Sequence, residues 1–207
     1  MLPDAARQLP EPEPKDALRL SGALPVHGAA VTLTEFRPED VGPGYLAWMN
    51  DPQTTRYLES RFQAQTMDTL RAFVAVAYAD EGTWFFRILE NDGGQHVGNI
   101  KVGPRHGWHQ RAEVGIIIGE KACQGRGLAT QSIRLAADFA FRHLAVNKLV
   151  AGMYEANKGS LRAFQKAGFT LEGSLAEHCF CEGAFTSQYM VGLTRGQWRA
   201  AQTGATL

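Results

Sequence analysis

Glu113-Val-Gly-Ile-Ile-Ile-Gly-Glu-Lys-Ala-Cys-Gln-Gly-Arg-Gly-Leu-Ala-Thr130 is the stretch on which the fold turns. An apolar run suited to a strand passes into a glycine-rich loop, and the loop opens a long helical pattern. Gly125 and Gly127 let backbone approach a ligand closely. The first amides of a helix lack intrahelical partners, and with the helix dipole they suit an anion such as phosphate. Arg126 can add charge. The same glycines would also serve a plain tight connection, and these residues alone leave both readings open. Spacing excludes two other phosphate loops. A P-loop needs G-x-x-x-x-G-K-[ST], but Gly119 and Gly125 are spaced wrongly and Arg126 stands where Lys would. A dinucleotide fingerprint needs a third glycine after Gly125-Arg-Gly127, and Thr130 is found instead. ATP and NAD are therefore disfavoured.

Working outward, Leu128 to Leu144 carries Ala129, Ile133, Ala136, Ala137 and Ala140 at helical spacing. Lys148–Tyr154 reads as a strand. Ser160–Ala167 reads as a short helix closed by Gly168, with Phe169 placed for the apolar contact of a Schellman cap. Two more strands fit Thr170–Glu172 and Ser187–Leu193. Upstream, Val31–Phe36, Trp84–Leu89, His96–Val102 and Ala112–Ile118 read as strands, with Asn91-Asp-Gly-Gly94 as a hairpin turn. Pro38-Glu-Asp40 opens a short helix carrying Tyr45, Leu46, Trp48 and Met49 and ended by Asn50-Asp-Pro52. Thr66 caps a helix over 66–80 that places Leu70, Phe73, Val74 and Ala77 on one face. This order gives an α/β domain with a mixed central sheet of about seven strands flanked by helices.

The chain has 207 residues, enough for one domain with a sizeable core. We read residues 26–200 as that domain, its first strand starting near Val31. Residues 1–25 hold Pro3, Pro10, Pro12, Pro14 and Pro25 among charges, and read as a flexible tail or a loosely docked arm. Lys and Arg together number 21, as do Asp and Glu, which argues against nucleic acid as the main partner. Cys123, Cys179 and Cys181 form no disulfide framework, and no second Cys/His pair follows C-x-C at zinc-like spacing, so no metal is expected. No run of about 18 apolar residues spans a membrane. No secretory signal is apparent. The expected setting is the cytoplasm, with reduced thiols.

Gln124-Gly-Arg-Gly-Leu-Ala129 resembles the [Q/R]-x-x-G-x-[G/A] acyl-CoA motif of the GNAT acetyltransferases. Asn157-Lys-Gly-Ser160, followed by Ala163-Phe-Gln-Lys-Ala-Gly-Phe169, resembles the family's N-x-x-S…K-x-G-F segment. The resemblance covers residues 31–195 and is nearest the branch with ribosomal-protein N-terminal and amino-sugar acetyltransferases. It implies a GNAT fold in which the strand at 112–118 splays from that at 148–154. It implies acetyl-CoA as acyl donor, with pantetheine in the gap beside Ile116, Ile117 and Ile118, bonding like an added strand to the free backbone of Ile116 and Ile118. Gln124, Gly125, Arg126, Gly127, Leu128, Ala129 and Thr130 would hold the pyrophosphate. Asn157 and the helix face with Ser160, Phe164 and Lys166 would flank the arm and thioester.

Acetyl transfer needs a neutral amine, and most amines must lose a proton first. Glu113 is the leading base candidate, from where the family often places one; a solvated strand-end Glu is the plain alternative. His109 and His106 follow, then His178. The leaving thiolate calls for a proton donor or a route to water. Family members often carry Tyr at the position of Phe164, which has no proton to give. Tyr154 is a substitute candidate, and the thiolate can also leave toward water, as thiol pKa values near ~8.5 allow. A backbone amide of the strand at 112–118 would meet the oxyanion.

The acceptor side is read from Trp48–Phe62, which crowds Trp48, Arg56, Tyr57 and Arg61 into the segment that lines the acceptor mouth in this family. Arg56 and Arg61 suit the phosphate of a nucleotide-linked amino sugar; a protein N-terminus is the other acceptor implied. Trp48 and Tyr57 would equally serve as core anchors. A non-catalytic acyl-CoA-binding sensor is the alternative function. The outer strand of such folds leaves a homodimer open.

Overall fold

The computed structural model describes residues 11–204. Its centre is one eight-stranded sheet: β1 (Val26–His27), β2 (Val31–Glu35), β3 (Trp84–Glu90), β4 (His96–Val102), β5 (Arg111–Ile118), β6 (Lys148–Tyr154), β7 (Thr170–Cys181) and β8 (Ala184–Thr194). The spatial order is β1-β2-β3-β4-β5-β6-β8-β7. All neighbours run antiparallel except β5 and β6, which are parallel because helix α5 (Leu128–His143) crosses between them. The strand beyond the expected seven is β1, two residues paired to β2.

Alternation along β3 assigns the two faces. Trp84, Phe86 and Ile88 turn toward α5, packing with Ile133, Ala136, Phe139 and Ala140 in the larger core. Phe85 turns the other way, into a second core with Phe36, Tyr45, Met49, Leu70, Val74 and Ala77. The second core is covered by α2 (Pro43–Asn50) and α4 (Met67–Ala79). Thr66 caps α4 by accepting from Thr69 N at 3.1 Å. Phe73 departs from its expected face: about half exposed, it packs edge-on to Phe85 and beneath the Lys101 ammonium.

Helix α6 (Lys158–Lys166) ends as its sequence requires. Gly168 takes φ +101°, Phe169 N donates to Phe164 O at 3.1 Å, and Gly168 N donates to Gln165 O at 3.0 Å. The Phe164 and Phe169 rings meet edge to face with centroids 5.0 Å apart. Those two bonds and that contact are the Schellman motif.

The tail expectation covers residues 1–25, of which 1–10 lie outside the described residues. From Glu11 onward the segment is an arm and not a free tail: α1 (Lys15–Leu20) docks on the domain. Leu18 is fully buried, and Lys15 Nζ donates to the carbonyls of Ala77 and Tyr78, both at 2.9 Å, at the C-terminal end of α4. A cation on the last carbonyls of a helix satisfies orphan acceptors and the helix dipole together. One apolar residue and one capping lysine thus anchor a segment whose composition alone argues against order.

Candidate active site

The site begins where β5 and β6 part. They pair only over Arg111–Glu113 against Lys148–Val150, after which β6 stays with β8 and β5 with β4. The register says which β5 groups face the gap. Gly119 N donates to Val97 O at 2.9 Å and Gly103 N to Glu113 O at 2.8 Å, so Ile118–Gly98 and Val114–Val102 are non-hydrogen-bonded pairs. Ile116–Ile100 falls in the same alternation. The backbone groups of Ile116 and Ile118 therefore point away from β4, toward the gap. One of them already has a partner, since Gln124 Nε2 donates to Ile118 O at 3.1 Å.

A cavity of about 480 Å³ fills this gap. Ile116, Ile117 and Ile118 line one wall; Gln124, Gly125, Gly127, Leu128, Ala129 and Thr130 line the end; Asn157, Ser160 and Lys166 line the far wall. Gly125 and Gly127 have φ of +76° and +82°, a conformation that disfavours side chains, and an added Cβ at either would meet nothing within 4 Å. They are needed for conformation, and they leave the loop open to a ligand beside the first amides of α5. Asn157 caps α6 by accepting from Ser160 N at 3.2 Å, so the Asn and Ser of the second motif are tied to each other.

Sequence reasoning missed Gln53, Thr54, Leu58, Cys123 and Arg162 on the wall. Arg162 was legible, because it lies one helical turn before Lys166 on α6. Gln53 and Thr54 ride on α3 (Pro52–Thr55), which Asp51 caps. The Thr54 hydroxyl and Lys121 hold the Asp51 carboxyl down at about 2.

Several expected residues stand elsewhere. The Arg126 side chain pairs with Glu90 at 2.5 Å and donates to Cys123 Sγ at 3.5 Å, and it is not itself on the cavity wall. Phe164 is core, 2 % exposed against Phe169. Trp48 is a wedge in the second core: its ring packs on His96 and lies so close to Gly119 that a Cβ there would sit 2.0 Å from it. Glu113 is exposed at the last rung before the gap, outside the cavity wall. His106 and His109 stack on each other at 4.3 Å in the β4–β5 loop, and His178 is exposed on β7; none reaches the cavity.

Tyr154 is buried, and its hydroxyl donates to Glu59 Oε1 at 2.5 Å and accepts from Arg61 Nη1 at 3.0 Å. Burial, then the Glu59 contact, push the phenol up to about 12. It therefore stays protonated at any working pH. Tyr154 is not on the cavity wall; Tyr57 is, with its ring 5.9 Å from that of Tyr154. The two acceptor arginines are engaged within the protein. Arg56 pairs with Glu182 at 2.6 Å, and Arg61 also donates to Leu58 O and Phe180 O. The Arg61 guanidinium is thus committed within the chain, while Arg56 is held by one exposed ion pair.

Among the described residues no group of three or more His, Cys, Asp or Glu is placed to hold a metal ion, and no helix is long and apolar enough to cross a membrane.

A splayed parallel pair, a glycine loop at a helix N-terminus and a capped Asn-x-x-Ser helix define an acyl-CoA-type cleft. The acetyltransferase (GNAT) domain family matches residues 30–170, and the chain belongs to that family. Among curated relatives, spermidine N(1)-acetyltransferase of Escherichia coli K12 is 31% identical over 113 residues, 55% of this chain and 60% of that protein. The probable N-acetyltransferase YjcK of Bacillus subtilis is 32% identical over 84 residues, 41% of this chain and 46% of that protein. The chain thus spans less than two thirds of the length of these relatives. Among solved structures, spermidine N-acetyltransferase from Vibrio cholerae with CoA and spermine superposes with a TM-score of 0.74 at 21% identity, covering 83% of this chain and 99% of that one. The ribosomal L7/L12 α-N-protein acetyltransferase with CoA superposes at 0.72 and 16% identity, covering 83% and 97%. At these identities the superpositions speak for the fold.

Proposed function

We propose that this chain is an N-acetyltransferase that moves an acetyl group from acetyl-CoA to a primary amine. The observation that carries the reading is the gap between β5 and β6, with the backbone of Ile116 and Ile118 facing it and the positive-φ loop at Gly125 and Gly127 closing its end. The family and the CoA-bound solved neighbours support the donor. In this reading the loop amides and the start of α5 hold pyrophosphate, with Arg162 and Lys166 supplying nearby charge. The β5 backbone orients the thioester, and an amide there meets the developing oxyanion. Glu113 is retained as base, taking up the amine proton through water, since it stands off the wall. The amine nitrogen forms the new amide, the C–S bond breaks, and the thiolate leaves toward water. Neither Phe164 nor Tyr154 serves as donor in this reading: one is core, and the hydroxyl of the other is hydrogen-bonded to Glu59.

For the acceptor we propose a small-molecule amine or a peptide N-terminus, the two kinds named among the relatives. Arg56 and Arg61, being engaged, give no support to a nucleotide-linked sugar. Strand β7, one edge of the sheet, with Leu171 and Leu175 exposed, is the surface we assign to a homodimer, checked by light scattering.

The test is thiol release from acetyl-CoA on spermidine, glucosamine and an alanyl peptide. Acceptor-dependent release on any of them is expected. Tight CoA binding with no release on all three contradicts the enzyme reading and favours an acyl-CoA sensor.

A further inference from the structure

The β7–β8 hairpin is bent toward the segment that carries Arg56 and Arg61. Between the rungs Leu175–Gln188 and Cys179–Thr186, β7 has three residues where β8 has one, and Glu177 within them takes φ +49°. Such a bulge bends a strand and re-aims the residues beyond it. Beyond it lies the hairpin tip, Cys179–Cys181 paired to Ala184–Thr186 across a two-residue turn with both φ positive, Glu182 at +53° and Gly183 at +84°. Glu182 stands where a glycine, asparagine or aspartate is the usual choice.

Side chains from the 56–61 segment meet this tip at two points. Arg56 Nη2 pairs with Glu182 Oε1 at 2.6 Å. Arg61 Nη2 donates to Phe180 O at 2.7 Å, while its Nη1 donates to Leu58 O and to the Tyr154 hydroxyl, each at 3.0 Å. One planar guanidinium thus joins three elements that are distant in sequence: the segment after α3, the end of β6 and the hairpin tip. The joint abuts the cavity, because Tyr57 and Leu58 are both on its wall.

We propose that Arg61 is a positioning residue for the acceptor: it latches the β7–β8 tip onto the 56–61 segment, and the tip so held forms the outer wall of the acceptor mouth. Arg56 and Glu182 are the second, weaker fastening, since both are largely exposed. Lysine cannot replace Arg61, because a point-charge ammonium lacks the fork that serves three acceptors at once. The proposal rests on the acetyl-transfer reading, which the wild-type chain tests by itself.

The experiment compares wild type, Arg61→Met, Arg61→Lys and Glu182→Gln in the full chain. Kinetics use whichever of spermidine, glucosamine or the alanyl peptide the wild type acetylates, calorimetry measures CoA affinity, and deuterium uptake is followed over 179–186. Arg61→Met should raise the acceptor KM about tenfold or more with kcat within about threefold, a split that marks lost acceptor placement. CoA affinity should stay within about twofold, and uptake over 179–186 should rise. Arg61→Lys should resemble Met, and Glu182→Gln should shift both readouts the same way but less. If Arg61→Met does not fold, Arg61→Lys decides alone: unchanged KM and unchanged uptake overturn the proposal. So does an Arg61→Met chain with wild-type KM, or one that loses CoA affinity along with acceptor affinity. A wild-type chain idle on all three amines instead overturns the acetyl-transfer reading beneath it, while the uptake arm still decides whether Arg61 holds the tip.

Discussion

The two ends of the cleft are made differently. The cofactor end is made of backbone: strand groups of Ile116 and Ile118, loop amides at Gly125 and Gly127, and the open start of α5. The acceptor mouth we propose is instead held by side-chain contacts between separated segments, Glu59 and Arg61, Tyr154, and the tip from Phe180 to Glu182. A backbone site demands special conformations, and these demand glycine at fixed spacing. A side-chain site demands only that the fold bring the right groups together. That difference decides what each end reveals in the sequence, and how each should respond to mutation.

The sharpest way to break the contrast is Gly127→Glu. It puts bulk, negative charge and a disfavoured φ into the loop, and CoA affinity should fall about 100-fold or more by calorimetry, with the far-ultraviolet spectrum unchanged. Unchanged affinity would remove the pyrophosphate assignment.

Gly119→Ala tests the seam between the two ends, because its Cβ would collide with Trp48. Overpacking there should cost about 1–3 kcal/mol in urea unfolding. A neutral result would show that Trp48 is no wedge. Phe164→Tyr buries a hydroxyl beside Phe169 and should cost about 1–3 kcal/mol of stability if it finds no partner. Activity per folded molecule should stay within about threefold; a larger gain would mean that a proton donor at this position is missed after all.

The smallest effect belongs to Arg126→Met. Its guanidinium is already paired with Glu90, so CoA affinity should change by less than about threefold. A tenfold loss would show that the side chain swings back onto the ligand. It would also move one side chain from the account of the fold to that of the site.

The same contrast explains what is legible in the sequence. The strand–loop–helix unit at 113–130 and the Asn157–Phe169 segment are each contiguous, with caps and glycines whose local geometry is forced. The succession of strands along the chain is legible too, apart from the short β1, whereas the insertion of β8 between β6 and β7 is not. The β7–β8 hairpin reads as two short strands because β7 is exposed nearly throughout and broken by two register shifts, so no period-two pattern survives. Motif position puts Arg126 and Phe164 in the site. Only the structure shows that Glu90 takes the first and Phe169 the second. Trp48, Arg56 and Arg61 have the composition of a ligand mouth, yet each is engaged by another residue of the chain. Composition cannot tell a free arginine from an engaged one, and the partners here lie as far away in sequence as Glu182.

The central claim is that β5 lends its unpaired backbone to the acyl donor. Residue-resolved amide exchange by NMR, with and without CoA, tests it most directly. Bound CoA should slow exchange at Ile116 or Ile118 by about tenfold or more, with Ile117 unchanged because its amide is bonded to β4. Saturating CoA that leaves both Ile116 and Ile118 at their free rates would contradict the account.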